Sequence, residues 1–307
     1  MGKISPGIVS LVLACRILGC SSSQLVWEPE DSNAPPFYPV GGAAEVSWID
    51  RSGKKVAPPP RKNEDHNSLL PFSANGRYGY RRDGNTVIAP ELLYAEPFYE
   101  GRAVVVRQGP CRPVDAGFCG APFVLPTDAM PKGVSPLDRA LNRGAARFPA
   151  CRYTYVDESG VAAGAGGFDE ARAFHEGLAA VRVGLLWGYV DRSLNIKIQP
   201  QYKQAYAFSG GLAAVSSDRG FYYIDQAGNT RIKGPFDAAG MFHEGVAVVR
   251  VGERDQYIDA HGRKAVPGKF LHGGRFFHGL ANVRMGNGRM AYIDRKGRAV
   301  YRWSDTR

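Results

Sequence analysis

The chain is poor in the residues that usually announce chemistry. Only five cysteines occur in 307 residues, so the fold rests on its core, and a composition with 44% hydrophobic and 11% aromatic residues is ordinary for a core-forming protein. The six histidines are scattered, and none lies between Cys111 and Cys151, which argues against a metal site in the one stretch where cysteines gather. His175 and His243 share a repeat position but stand 68 residues apart, whereas two ligands of one metal must approach within a few ångströms. Gly164, Gly166 and Gly167 form a glycine-rich connection, but no helical pattern follows and the spacing of a dinucleotide loop is missing. No serine sits in a nucleophile-elbow context. The apolar run Ile8–Ala14 is too short to cross a bilayer. These absences leave no catalytic residue, no metal ligand set and no cofactor fingerprint. The expectation is a protein that is not an enzyme.

What the chain does contain is repetition. A Phe, then Gly three residues on, then an apolar residue, Ala and Val, recurs every 34 residues. The four clear copies start at Phe174, Phe208, Phe242 and Phe276. Between them run Tyr189-Val190-Asp191, Tyr223-Ile224-Asp225, Tyr257-Ile258-Asp259 and Tyr292-Ile293-Asp294. A fixed period of this length indicates a repeat architecture and an extended surface more than a single pocket. Ala247, Val249 and Val251 lie two apart, as do Ala179, Val181 and Val183; that is the period of a strand. Pro200, Pro235 and Pro267 in the connecting stretches exclude long helices there. Looser copies at Phe98–Val105, Tyr80–Pro90, Tyr155–Asp157 and Trp48–Gly53 extend the repeats over nearly all of residues 45–303.

Asp and Gly recur as the first and fourth residues of a turn, three positions apart, in Asp225/Gly228, Asp259/Gly262 and Asp294/Gly297. A type I turn favours that placement, because the carboxylate accepts backbone N–H groups and Gly accepts a positive φ. These carboxylates are therefore read as turn formers and not as acid–base groups. Asp191-Arg192-Ser193-Leu194 lacks the Gly, so a different turn is expected there.

The units resemble bacterial WG repeats, also called KWG repeats. Trp187-Gly188-Tyr189-Val190-Asp191, Ile198-Gln199-Pro200-Gln201-Tyr202 and Phe208-Ser209-Gly210-Gly211-Leu212-Ala213 carry the likeness. The Trp-Gly pair occurs only at 187–188, with Phe221-Tyr222, Asp255-Gln256 and Met290-Ala291 in its place elsewhere. The resemblance implies a structural repeat and brings no catalytic residue with it. The expected fold is all-β: tandem hairpin units of about 34 residues in an elongated, curved array. A β-propeller-like closure is the alternative, since about seven Tyr-Ile-Asp-like blocks occur, although 34 residues are few for a four-stranded blade.

Residues 1–20 read as a targeting segment. Lys3 precedes the short apolar core, and Ile17-Leu18-Gly19-Cys20 resembles a bacterial lipobox with Cys20 as the lipidated residue. Cys15 is an alternative acceptor, and a soluble secreted or periplasmic protein is the alternative fate. Residues 21–44, rich in Ser and Pro, read as a tether. Residues 45–106 hold the N-terminal repeats and 152–303 the C-terminal ones. Between them, 107–151 is an insertion with a short helix expected from Ser135-Pro136 onward. In an oxidising compartment any two of Cys111, Cys119 and Cys151 could pair as a disulfide.

Net charge is +10, and residues 168–307 carry 21 Lys and Arg against 13 Asp and Glu. Arg182, Arg250 and Arg284 hold one repeat position, alternating with the Ala/Val row; strand parity predicts that they share an outward face suited to anionic partners. The expected function is a non-catalytic cell-envelope protein, anchored to a membrane by its lipid, that offers an extended surface to a protein or an anionic polymer. Nucleic acid is disfavoured because no motif for it occurs. The competing readings are an enzyme with its site in 107–151 and a purely structural envelope protein.

Overall fold

The computed structural model describes residues 38–40, 47–57, 69–107, 152–163 and 167–304. Among them the secondary structure is antiparallel strand and turn, arranged as seven small sheets. The clearest is sheet 4, formed by Glu170–Ala171, Leu178–Val183, Leu186–Asp191 and Ile196–Tyr202 in that order. Sheet 5 repeats it with Gln204–Ala205, Ala213–Ser217, Gly220–Ile224 and Thr230–Phe236. Sheet 6 contains Ala238–Ala239, Val246–Val251 and Arg254–Asp259, with residues 264 and 270 bridging to its last strand. Sheet 7 contains His272–Phe277, Leu280–Arg284, Met290–Ile293 and Ala299–Trp303. Upstream, sheet 1 is Tyr38–Val40, Ser47–Ile49 and Lys55–Val56, sheet 2 is Leu70–Ala74, Arg77–Arg82 and Asn85–Leu92, and sheet 3 is Tyr94–Ala95, Ala103–Val106 and Tyr153–Val156. A first strand of only two residues lets 34 residues supply four strands. The insertion, with its expected helix, and Cys111, Cys119 and Cys151 lie outside the described residues.

Each unit places the repeated residues where burial demands them. Ala179, Val181 and Val190 pack with Tyr155 and Phe174 of the preceding junction, while Leu178, Ala180, Tyr189 and Ile198 pack against Phe208, Ala213 and Val215 of the following one. Both faces of the Ala/Val strand are thus covered, which is why it reads as a nearly continuous apolar run. Every central Tyr also sends its hydroxyl to the next sheet. The hydroxyls of Tyr80, Tyr155, Tyr189, Tyr223 and Tyr257 donate to the carbonyls of Glu96, Arg172, Tyr206, Gly240 and Gly274 at 2.6–2.8 Å. A buried phenol needs such a partner, and burial pushes the Tyr189, Tyr223 and Tyr257 hydroxyls well above the usual range.

The last tyrosine in the series shows how the array ends. Tyr292 donates to the carbonyl of Pro39 at 2.9 Å, and Tyr38 donates to the carbonyl of His278 at 2.9 Å. Tyr38, Val40 and Ile49 of sheet 1 share one cluster with Leu280 and Tyr292 of sheet 7. The turn glycines repeat the relation: Gly228 sits on Ile198, Gly262 on Ile232, and Gly53 of sheet 1 on Val300 of sheet 7. Sheet 1 therefore follows sheet 7 as each other sheet follows its predecessor. The repeats form the expected all-β array, and the chain's first sheet docks on its last, the contact that the propeller-like alternative calls for. Tyr38–Val40 also corrects the tether boundary, since residues 38–40 are a strand. Pro39 is tolerated because that strand pairs on one side only, with Ser47–Ile49.

Candidate functional site

Strand direction gives the ring two rims. The Phe-x-x-Gly hairpins and the Asp loops lie at one end of the strands, the turn rim. The tips at 183–186, 217–220, 251–254 and 285–289 lie at the other, the hairpin rim, where the insertion also leaves sheet 3 after Arg107 and returns at Arg152.

The turn rim is a self-satisfied polar network. In each Asp loop one carboxylate oxygen accepts two backbone N–H groups, those of Ala227 and Asn229 for Asp225 and those of His261 and Arg263 for Asp259, at 2.9–3.0 Å. Asp294 does the same with Lys296 and Arg298. Gly228, Gly262 and Gly297 have φ of 85°, 77° and 74°, as a turn of this kind requires. Leu194 departs from the expectation of a different turn: it takes the glycine position with φ 63°, and Asp191 keeps the same two N–H bonds. Between hairpins, Glu100 accepts the N–H groups of Glu176 and Gly177, Glu176 those of Gly210 and Gly211, and Glu244 that of Gly279. Glu100, Glu176 and Glu244 are themselves at φ 50–53°, the left-handed pair position of a two-residue hairpin.

These contacts hold the turn carboxylates ionised. The Asp50 and Asp157 carboxyls lie below their ordinary range chiefly because Ser52 and Ser159 hydroxyls donate to them, and the Asp225 carboxyl does so chiefly through the Asn229 N–H. For a carboxylate depressed on folding, the contribution is complete above the unfolded pKa, about 4, and is lost as pH falls through the lower folded value. The urea midpoint is therefore expected to fall steeply only below about pH 4. The double variant Asp157→Asn/Asp225→Asn should flatten that limb while changing the midpoint at neutral pH little, since Asn also serves turns. A pH limb of unchanged steepness would detach these carboxylates from acid unfolding.

The arginine row does not form the outward face that parity predicted. Arg182 is only 5% exposed; it donates to the carbonyl of Gly184 and to Glu170 at 2.7 Å. Arg250 is held by Asp255 at 2.7 and 3.1 Å. Arg284 is half-buried and donates to the carbonyl of Gly288 at 3.3 Å. The parity argument assumed a sheet covered on one side, whereas neighbouring sheets cover both. His175 and His243 are half-buried, with rings 5.5 Å from Tyr99 and 6.1 Å from Phe277. Sequence reasoning missed Asp255, which is buried and takes the N–H of Gly273 at 2.9 Å as well as Arg250; the displaced Trp-Gly pair at 255–256 was its one signal. Among the described residues no group of three His, Cys, Asp or Glu is placed to hold a metal.

The hairpin rim differs. Val183, Leu185 and Leu186 on one four-residue tip are 45%, 52% and 38% exposed, and Val251 on the tip two sheets away is 49% exposed. The intervening tip carries Asp218 and Arg219, with Lys203 on Asp218.

Comparison with known proteins agrees on the repeat. The model of the WG containing repeat matches residues 80–109, 153–184, 187–219 and 223–254. No curated protein matches the chain in sequence. Among solved structures, the computationally designed Ika8 protein is 10% identical, with 90% of this chain and 86% of that one covered and a TM-score of 0.44. BamB from Moraxella catarrhalis is 9% identical over 77% of this chain and 70% of that one, with a TM-score of 0.43. KlHsv2 with loop 6CD replaced by a Gly-Ser linker is 12% identical over 51% of this chain, which spans 60% of that protein, with a TM-score of 0.37.

Proposed function

Because this chain is a WG-repeat protein, we propose that it is a non-catalytic scaffold of the cell envelope, held to a membrane through Cys20, that binds a protein partner along its hairpin rim. The observation that carries this reading is the tip of sheet 4. The polar groups of the turn rim are largely consumed by the fold, whereas Val183, Leu185 and Leu186 place three apolar side chains in water on a single tip. Scattered apolar residues on a surface need no explanation, but a cluster at a projecting tip is an expected contact site. The insertion leaves the neighbouring sheet on the same rim.

A photo-crosslinking residue at Leu185 should trap a discrete partner in intact cells, and one at Gln199 on the outer strand should not. Adding Leu186→Asp should abolish that adduct without changing the amount of folded protein. Equal adducts from both positions, or an adduct indifferent to Leu186→Asp, would remove the hairpin rim as the binding surface.

A further inference from the structure

Closure of the array gathers charge that the sequence keeps apart. The Asp loops and outer strands of sheets 5, 6, 7 and 1 comprise residues 225–236, 259–270, 294–303 and 50–57. Together these stretches carry twelve Lys and Arg against four Asp. The four carboxylates, Asp50, Asp225, Asp259 and Asp294, are bonded to the N–H groups of their own turns. The corresponding stretches of sheets 2, 3 and 4, residues 83–92, 157–163 and 191–202, carry two cations against five Asp and Glu. Sheets 5, 6, 7 and 1 are consecutive around the ring, because sheet 1 docks on sheet 7. Lys54 and Lys55 thereby join Lys296 and Arg298, nearly the full chain length away, and all four are exposed. One side of the outer wall is therefore cationic and the other slightly anionic.

We infer that this cationic sector, with Lys54, Lys55, Lys264 and Lys296 at its heart, lies against the anionic phospholipid surface of a membrane. Edge protection alone would put lysines on every outer strand, yet the outer strand of sheet 2 has none. The four stretches expose no Phe, Tyr or Trp ring: Phe236, Tyr301 and Trp303 are half-buried and Phe270 is buried, leaving the His261 imidazole as their one exposed ring. Single-stranded nucleic acid is bound on exposed rings, whereas a lipid surface needs only positive charge spread over an area. Tyr38, where the described chain enters, is on the same sheet as Lys54 and Lys55, at the edge away from their strand and against Tyr292 and His278. The seventeen residues between Cys20 and Tyr38 span at most about 60 Å when extended. This inference rests on the envelope reading above but not on the hairpin rim, which lies at the other end of the strands.

The test uses the full chain with Cys20→Ala, so that no acyl group contributes. It compares binding to phosphatidylcholine vesicles with and without phosphatidylglycerol across a salt series. Binding should require phosphatidylglycerol and weaken with salt. Changing Lys54, Lys55, Lys264 and Lys296 together to Glu should lower the partition coefficient about tenfold or more, each cation near the surface being worth several-fold. Changing Arg77, Arg81, Lys197 and Arg219 to Glu alters net charge equally outside the sector, and should leave most of the binding. Equal losses in both quadruple variants would reduce the effect to net charge and overturn the sector. Tighter binding of single-stranded RNA than of the anionic vesicles would overturn the membrane assignment. Failure here with the Leu185 adduct intact would leave the scaffold reading standing, and the converse would leave the sector.

Discussion

Gly188→Val is expected to be among the most damaging single changes in the described chain. A Cβ at residue 188 would stand 2.4 Å from the carbonyl oxygen of Ile198 and 2.7 Å from the nitrogen of Pro200. Both are backbone atoms of the strand lying across it, so no side chain can swing away. Overpacking a core costs roughly 1–3 kcal/mol, and an unyielding backbone contact places this case at about 3 kcal/mol or more. Gly252→Ala is the control, because nothing lies within 4 Å of its Cβ and only the φ of 62° is at issue; it should cost about 1–2 kcal/mol. Urea unfolding followed by tryptophan fluorescence compares the two. A Gly188→Val protein as stable as the Gly252→Ala protein would mean that the outer strand slides freely over residue 188.

Tyr38→Ala has an expected effect of similar size. Tyr38 is fully buried, its ring is 5.3 Å from that of Tyr292, and its hydroxyl holds the His278 carbonyl. Truncating a buried aromatic costs about 3–5 kcal/mol. The loss falls on the seam between the first and last sheets, so limited proteolysis should cut the connection after Val56 faster than in the wild type. Tyr38→Phe should lose only the hydroxyl bond, about 1 kcal/mol. If Tyr38→Ala left both the proteolysis pattern and the unfolding midpoint unchanged, the two ends would not hold each other.

The Gly188 contact also explains part of what the sequence could convey. In sheets 2 and 4 an aromatic-Gly-Tyr strand lies under Ile-x-Pro, and Gly79 meets Ile88–Pro90 as Gly188 meets Ile198–Pro200. In sheet 5 Tyr222 takes the glycine place, and the outer strand brings Gly234 over Phe221 instead. The loss of the Trp-Gly pair therefore relocates the small residue without ending the repeat. Strand type, turn chemistry and the period were legible because each is local. Closure was not, because it depends on Tyr38-Pro39-Val40, three residues in a Pro-rich stretch with no repeat signal. The arginine face failed for a related reason. Parity along a strand gives the side on which a residue lies, but whether that side meets water depends on the neighbouring sheet. Arg182 has strand parity away from the Ala179/Val181 row and is still buried.

The docking of residues 38–56 onto 280–303 has an evolutionary corollary. An open solenoid can gain or lose a unit by unequal recombination, since each added repeat only lengthens it. Here every added or deleted 34-residue unit would alter the angle through which each remaining sheet must turn before Tyr292 can reach Pro39. The gene should thus vary freely in loop sequence and insertion length while its copy number stays locked, and drift in that number would be visible only in relatives whose first sheet no longer docks on the last.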